Sequence, residues 1–408
     1  MIRQYEKYLG LPALVGREKK RNFIYLKERV WKKLQGWKEK LLSITGREVL
    51  IKVVIQAILT YTMSCFKLPK GLIKELEVLI RKFWWGYNDY IRKVHWVSWG
   101  RLCEAKEVGG MGFKEIEKFN DALLAKQVWR MLHNSESLCF RVFKAQFFPN
   151  CPILDVKDSN SGSYAWKSIL GARDVIKKGM VWRIGNDQSV RIKEDKWLPV
   201  KPTRVILSSL PSVMAETRVS SLINPELGMW KSEEVNQAFL PYEASLILGI
   251  PLSHRKPPDR VSWSCTPTRE FSTSSAYKLL ATSASIDNAS SSNLDNQRSF
   301  WKRLWKMQVP NKIKHIVWRA CNNALPTKCN LKRRHITNSD VCQLCKDAPE
   351  DALHALCFCS HVTPVWLPFQ WFQSIISPLP LNFCDLLNKY MQVNDKLKTE
   401  MFATITWC

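Results

Sequence analysis

Acidic residues are scarce in this sequence. Asp and Glu number 36 against 62 Lys and Arg, which gives a formal net charge of +26 over 408 residues. Such an excess favours a polyanionic partner, nucleic acid before a membrane surface. With only 16 glycines and 20 prolines the chain is neither collagen-like nor of low complexity, and an apolar content of 46% excludes wholesale disorder. The length gives room for two or three domains.

Long hydrophobic runs are also absent. The most apolar stretch, residues 49–60, is interrupted by Lys52 and Gln56, and no run approaches the roughly 18 residues that a membrane span needs. The N-terminus has no apolar core behind its charges, so it is no secretory signal. The 13 cysteines are odd in number and scattered, which favours a reducing compartment. We therefore expect an intracellular protein, in the nucleus or cytoplasm, without a membrane partner.

Apolar residues recur at three- and four-residue steps through the first third of the chain, which predicts helices. One stripe begins at Phe23. The next helix is predicted to open with a capping box, with Thr45 as N-cap and Glu48 three residues later. Further amphipathic patterns cover residues 72–85 and 120–132. Residues 1–149 are therefore predicted to form a helical domain.

The middle of the chain shows the alternation of β-strands. Residues 181–184 and 189–192 flank the turn residues Gly185-Asn186-Asp187, so they predict a hairpin. We read residues 150–281 as a small α+β region and the polar residues 282–297 as a flexible linker. The predicted fold class is mainly α with a small α+β middle region: a helical N-terminal domain, a β-hairpin-containing middle and a helical C-terminal module.

The helical C-terminal module carries four ligand-type residues, Cys342, Cys345, His354 and Cys359, which predict a zinc-binding module. Zinc takes four sulfur or nitrogen donors in a tetrahedron, and two cysteines separated by two residues can both point inward from a tight turn. Three residues compete for the fourth position. Cys357 would share the face of His354 if a helix continued there, Cys359 fits only if the chain turns out of the helix, and His361 is a third candidate. Four protein ligands leave no open position, so we expect one structural zinc ion.

The charge is most lopsided just before and within this module. From Arg298 to Lys346 there are 12 basic residues and one acidic residue, Asp340. Tryptophans are interleaved, and such rings can stack on bases while cations hold phosphates. At helical spacing, however, Trp301 and Trp305 are better explained as core. The predicted nucleic-acid contacts are Lys302, Arg303, Lys306, Lys312, Lys314, Arg319, Lys332, Arg333 and Arg334.

Motifs of a self-contained active site are missing. No two aspartates are adjacent, and neither a phosphate-binding G-x-x-x-x-G-K-[ST] loop nor a G-x-S-x-G elbow occurs. We therefore expect no catalytic residues, no small-molecule substrate and no enzymatic activity of this chain by itself.

Several short motifs occur in an order typical of one family. They are Tyr8-Leu9-Gly10-Leu11-Pro12, Phe83-Trp84-Trp85-Gly86, Gly109-Gly110-Met111-Gly112-Phe113, Trp182-Arg183-Ile184-Gly185-Asn186, Val309-Pro310-Asn311-Lys312-Ile313-Lys314 and Leu325-Pro326-Thr327. With them the chain resembles the region downstream of the polymerase core in plant non-LTR (LINE-type) retrotransposon reverse transcriptases, including the reverse-transcriptase zinc-binding domain. The resemblance favours Cys359 over Cys357 as the fourth ligand, and it matches Glu350 to an acidic residue that precedes the histidine. Asp187 and Lys193 depart from the family, which has glycine and an aromatic residue there.

The resemblance also implies an organisation. Residues 1–149 would follow a polymerase palm lying before residue 1, residues 298–372 would be the zinc-binding domain, and residues 373–408 would be a tail leading to a ribonuclease H-type domain. The expected function is that of a zinc-stabilised remnant that binds RNA or DNA largely independently of sequence. Two alternatives are part of an RNA-directed DNA polymerase that is active only with a palm domain, and a host-recruited interaction factor.

Overall fold

The computed structural model describes most of the chain: residues 7–38, 42–86, 93–157, 162–185, 189–199, 204–209, 217–253, 255, 257–283, 291–375, 380–393 and 395–408. The chain folds into two compact units. The first combines Met1–Tyr61, Leu68–Glu117 and Ile286–Cys408, and the second combines Thr62–Lys67 and Lys118–Ser285. The predicted domain ranges cut the chain at other places and stay predictions.

Helices make up most of the first unit, beside one short pair of strands, Lys7–Tyr8 and Leu11–Pro12. The α-helices are Lys19–Asn22, Ile24–Lys38, Ile44–Leu50, Gln56–Met63, Lys70–Trp84, Trp99–Cys103, Ser291–Lys306, Asn311–Cys321, Lys328–Arg333, Thr363–Trp366, Gln370–Ile375, Phe383–Gln392 and Lys396–Ile405. Ile51–Ile55 and His354–Phe358 are π-helical, and Lys106–Val108 is a 3₁₀ turn. The helices predicted from apolar spacing in this unit are confirmed, and none of the described helices is long and apolar enough to cross a membrane.

The predicted capping box is wrong in its cap residue. The helix Ile44–Leu50 starts one residue before Thr45, and Ser43 is its N-cap. Ser43 has an extended backbone, and its hydroxyl accepts a hydrogen bond from the Gly46 amide at 3.1 Å. Because Ser43 already satisfies this end of the helix, Glu48 is left to turn inward, where it is buried.

Buried Glu48 is the centre of a charged cluster. Its carboxylate contacts Lys52 at 2.6 Å, Lys106 at 2.7 Å and His315 Nε2 at 3.3 Å. Burial alone would raise the pKa of this carboxyl group, but the hydrogen bonds from His315, Lys106 and Lys52 outweigh burial and lower the pKa to about 2. The cluster ties the helix Asn311–Cys321 to the N-terminal helices.

The depressed pKa predicts how Glu48 affects stability. A carboxyl group with a lowered folded-state pKa stabilises the fold above its unfolded pKa and loses that effect as the pH falls toward the folded pKa. Glu48→Gln should therefore lower the free energy of unfolding at pH 7, by an amount on the order of 3 kcal/mol. The difference from wild type should shrink below about pH 4.5 and vanish near pH 2. Urea unfolding at a series of pH values measures it, and a difference independent of pH would contradict this account.

The Gly109-Gly110 turn also contacts the helix Asn311–Cys321 within the first unit. Gly109 has a left-handed backbone (φ 93°), and its carbonyl accepts a hydrogen bond from Trp318 Nε1 at 2.8 Å. A Cβ atom on Gly109 would lie 2.6 Å from Trp301 Cε2. Trp301 and Trp318 are only 3% and 1% exposed, so both rings are core residues and not platforms for bases.

The helices Phe383–Gln392 and Lys396–Ile405, which fall within the predicted tail over 373–408, pack in the core of the first unit. The rings of Tyr390 and Phe402 stack with centroids 4.7 Å apart, and Trp366 lies 5.3 Å from Phe402. All three rings are at most 1% exposed. The helix pair Phe383–Gln392 and Lys396–Ile405 therefore completes the packing around the zinc-binding module.

The second unit is mixed. Its helices are Ile116–His133, Leu138–Phe147, Tyr164–Leu170, Arg173–Gly179, Ser232–Ala238, Pro241–Leu248 and Thr273–Ser283, with 3₁₀ turns at Ile153–Asp155 and Val219–Leu222. Two cores fill it, one around Trp166 and Trp263 and one around Trp197 and Ile206. The fold class is confirmed: mainly α with small β elements.

The predicted hairpin between residues 181–184 and 189–192 is wrong. The strand Met180–Arg183 pairs antiparallel with the distant strand Arg260–Trp263. Asp259 explains why the turn residues do not close a hairpin, because its carboxylate accepts hydrogen bonds from the Gly185 and Ser189 amides, both at 2.8 Å. A hairpin does occur in this region, between Ile223–Asn224 and Met229–Trp230. Asp187 lies outside the described residues.

The C-terminal end of the predicted linker over 282–297 overlaps a helix. Residues 291–297 form the first turns of the helix Ser291–Lys306. An ion pair between Asp295 and Arg298 supports these turns. Residues 284–290 of the predicted linker lie outside the described part of the chain.

Candidate metal centre

Four ligand atoms converge near the C-terminus. One atom each from Cys342, Cys345, His354 and Cys359 lies within 4.8 Å of all the others. Cys342 Sγ and Cys359 Sγ are 3.9 Å apart, and Cys345 Sγ is 3.4 Å from His354 Nε2. A zinc tetrahedron with bonds of about 2.3 Å to sulfur and about 2.0 Å to nitrogen has edges of roughly 3.5–3.8 Å. The donor set and its spacing therefore fit zinc.

A tight turn presents the first two cysteines. The Cys342 amide donates to Ala348 O at 2.9 Å, and the Lys346 amide donates back to Cys342 O at 3.0 Å. Lys346 takes a left-handed backbone (φ 58°), which lets the chain reverse. Amides of Asp347 and Ala348 donate to the Cys345 sulfur and lower the pKa of this thiol to about 6. The turn thus stabilises the thiolate form that binds metal.

A π-helical turn presents the other two ligands. Asp351 accepts a hydrogen bond from the His354 amide at 2.7 Å, and His354–Phe358 then forms a wider π turn. Cys359 leaves the helix with an extended backbone (φ −60°, ψ 134°). Its amide still donates to His354 O at 2.8 Å, which keeps the two ligands adjacent. The chain therefore makes the exit from the helix on which the choice of Cys359 depended.

The two competing candidates are not in the cluster. Among the described residues, the group of convergent donors includes neither Cys357 nor His361. Cys357 is 1% exposed, and burial, followed by the charge of Asp351, raises the pKa of its thiol. Cys357 is a neutral core residue.

Glu350, which the resemblance matched to an acidic family position, supports the neighbouring helix. Its carboxylate accepts a hydrogen bond from the Lys328 amide at 3.2 Å, and its carbonyl accepts one from the Cys329 amide at 3.0 Å. These bonds satisfy amides at the start of the helix Lys328–Arg333. Glu350 therefore couples the metal-site loop to a helix that carries predicted nucleic-acid contacts.

Five of the nine predicted nucleic-acid contacts interact with other groups of the fold. Four donate hydrogen bonds to backbone carbonyls: Arg303 to Met391, Lys314 to Trp305, Arg319 to Ala324 and Arg334 to Trp96. Lys312 lies over the Trp407 ring, with Nζ 3.7 Å from the centroid. The sequence could not show these roles, because each partner except Ala324 and Trp305 is distant in the chain.

The other four lie at the surface. Lys302 and Lys332 are about half exposed and pair with Glu107 at 3.6 Å and Asp340 at 3.0 Å. Lys306 and Arg333 are exposed, and Arg333 donates to Asn330 at 3.0 Å. Exposed ion pairs contribute little to stability, so these side chains can exchange their present partners for phosphates.

Comparison with known proteins agrees with the geometry of this site. Residues 271–366 match the family described as zinc-binding in reverse transcriptase. The chain is 31% identical, over 88% of its length and 57% of the relative's, to the Arabidopsis thaliana "Putative ribonuclease H protein At1g65750". It is 37% identical, over 35% of its length and 93% of the relative's, to the Arabidopsis thaliana "Uncharacterized mitochondrial protein AtMg00310".

The chain belongs to the plant retrotransposon-derived reverse-transcriptase family. It spans a little over half the length of the longer relative. The zinc-binding match begins before the predicted boundary at residue 298 and ends at the ring of Trp366, which packs behind the metal site through a hydrogen bond from its Nε1 to Leu356 O at 3.0 Å. The chain therefore carries a region of this zinc-binding family in which the four donor residues lie close together.

Proposed function

We propose that the chain is a zinc-stabilised nucleic-acid-binding part of a non-LTR reverse transcriptase. One structural zinc ion held by Cys342, Cys345, His354 and Cys359 fixes the loop around a basic surface. That surface contacts phosphates of RNA or DNA largely independently of sequence, in the nucleus or cytoplasm. The chain itself supplies no catalytic group.

The observation that carries this proposal is the charge around the metal centre. The span from Arg298 to Lys346 holds 12 basic residues against one acidic residue. We define the basic surface as Lys302, Lys306, Lys332 and Arg333, the exposed predicted contacts that remain once those held by a backbone carbonyl or an aromatic ring are set aside. Arg333 and Lys332 lie on the helix that Glu350 couples to the metal-site loop. Zinc binding would therefore hold the phosphate contacts in a fixed arrangement.

The salt dependence of binding tests the basic surface. Each neutralised phosphate adds about 0.7–0.9 to the slope of log affinity against log salt. The triple variant Lys306→Ala, Lys332→Ala, Arg333→Ala should therefore weaken binding to a single-stranded oligonucleotide and flatten the slope by roughly two units. Fluorescence anisotropy between about 50 and 200 mM salt, a range over which such binding falls by orders of magnitude, measures both.

A matched control removes the same charge elsewhere. Arg29, Lys32 and Lys33 are exposed on the helix Ile24–Lys38. Their triple alanine variant lowers the net charge equally but leaves the basic surface intact, so its slope should stay close to that of wild type. If both variants change the slope equally, binding follows net charge alone and the proposed surface is wrong.

A further inference from the structure

A cavity of about 290 Å³ lies in the first unit, separate from the metal centre. That volume is close to the lower end of the range for ligand pockets, about 300–1,000 Å³. Its walls combine cations with indole rings: Arg47, Lys93, Arg319, Trp84, Trp85 and Trp96. None of the described residues that line it is Asp or Glu.

Buried polar atoms without hydrogen-bond partners line the cavity. Among the described residues, the buried atoms without a partner include Trp84 Nε1, Trp85 Nε1 and His315 Nδ1, and all three side chains line the cavity. Trp84 and His315 are only 3% and 1% exposed. Since a buried polar atom without a partner costs free energy, such a group indicates a missing ligand or water.

The two arginines of the wall have no carboxylate partner among the described residues. Arg319 donates through Nε and Nη2 to Ala324 O, which occupies two of its five N–H donors. Within the described ranges, the hydrogen bond of Arg47 is one to Trp84 O, at 3.5 Å. Burial lowers the pKa of both guanidinium groups. Both would gain from an anion, because burial removes water and no carboxylate in the described part of the chain replaces it.

Further cations lie close to Trp96, which lines the cavity, and to its neighbour His95. Arg334 lies 5.4 Å from the Trp96 ring centroid and donates to Trp96 O. Burial, followed by the charges of Arg81, Lys82 and Arg334, lowers the pKa of His95. The field on this side of the unit is therefore positive, as a phosphate site requires.

We propose that this cavity binds a nucleotide through its phosphate monoester, with the arginines on the phosphate and a half-buried indole ring, Trp85 or Trp96, stacked on the base. Guanidinium groups match phosphate geometry, and indole faces accept any base. The nucleotide is either free or the phosphorylated end of a single strand. Only the binding of a strand end rests on the proposed nucleic-acid-binding function; the binding of a free nucleotide does not.

Calorimetric titration of the full chain tests the site with adenosine 5′-monophosphate, adenosine and inorganic phosphate as probes. The monophosphate should bind and adenosine should not. Arg47→Met should weaken monophosphate binding by about tenfold or more, since it removes a charged hydrogen-bond donor. Trp85→Leu together with Trp96→Leu should weaken the monophosphate but leave inorganic phosphate unchanged.

Lys93→Ala keeps the test valid if Arg47→Met does not fold. Lys93 is exposed, so its replacement should leave the melting temperature unchanged and still weaken the monophosphate several-fold. Lys33→Ala, an exposed residue of another helix, is the control and should have no effect. Equal binding of adenosine and its monophosphate, or unchanged affinity in Lys93→Ala and Arg47→Met alike, would overturn the proposal.

Oligonucleotides separate the two sources of the ligand. If a strand with a terminal phosphate binds more tightly than the same strand without it, and Lys93→Ala removes the difference, the site takes strand ends. If the free monophosphate binds but the terminal phosphate gives no advantage, the site takes free nucleotides. Failure of the proposed function looks different: no strand binds, while the monophosphate still does.

Discussion

Cys359→Ser is expected to abolish stoichiometric zinc binding and to unfold the loop from Cys342 to Cys359. The first turn of this loop owes little of its order to apolar packing, since Gln343, Leu344 and Lys346 are exposed. Zinc binding supplies on the order of 10 kcal/mol or more to the folding of zinc-finger peptides at pH 7. Loss of one ligand should therefore remove most of the protection of this loop. Metal analysis after purification without chelator and hydrogen exchange across residues 342–359 measure the two effects.

Cys357→Ser is the matched control, two residues away. Cys357 is buried but lies outside the convergent donors. This variant should keep its zinc and lose only about 1–3 kcal/mol of stability, because it buries a hydroxyl group in an apolar site. Zinc retained in the Cys359 variant and lost in the Cys357 variant would transfer the ligand role to Cys357.

Gly110→Ala, in a segment that carries none of the four metal ligands, is expected to have the second-largest effect. A Cβ atom there would overlap Glu104 O and lie 2.7 Å from Arg101 O, and backbone atoms cannot move aside as a flexible side chain can. The same turn is fixed by a hydrogen bond from the Gly112 amide to Glu104 O at 2.7 Å. The variant should lose about 3 kcal/mol or more of stability, which chemical denaturation measures.

Gly36→Ala controls for the loss of glycine itself. Gly36 lies within the helix Ile24–Lys38, and a Cβ atom there meets nothing within 4 Å. The substitution should stabilise the chain by about 0.5–1 kcal/mol, because alanine favours the helix. Equal and small effects of the two substitutions would show that the Gly109-Gly110 turn does not join the N-terminal helices to those of the zinc-binding region.

Local patterns in the sequence predicted the parts of the fold that depend on neighbours in the chain. The amphipathic helices and the ligand spacing of the metal centre are of this kind. Spacing alone could not separate Cys357 from Cys359, because the answer depends on whether the helix ends at Phe358. The structure answers this question, because the π turn ends at Phe358 and Cys359 has an extended backbone.

Long-range partners could not be predicted. The pairing of Met180–Arg183 with Arg260–Trp263 depends on residues some 80 positions apart, and the hairpin expectation failed for that reason. The partners of Glu48 likewise come from three segments, so its charge suggested only a capping role. The basic residues posed the same problem, since side chains such as Arg303 and Arg334 are held by distant carbonyl groups.

X-ray absorption at the zinc edge of the purified chain tests the central claim most directly. Three sulfur ligands at about 2.3 Å and one nitrogen ligand at about 2.0 Å, with one zinc per chain, are the predicted result. Cys359→Ser should lose this signature, and Cys357→Ser should retain it. Four sulfur ligands, coordination by oxygen, or well under one zinc per chain would contradict the assignment of Cys342, Cys345, His354 and Cys359 as the metal centre.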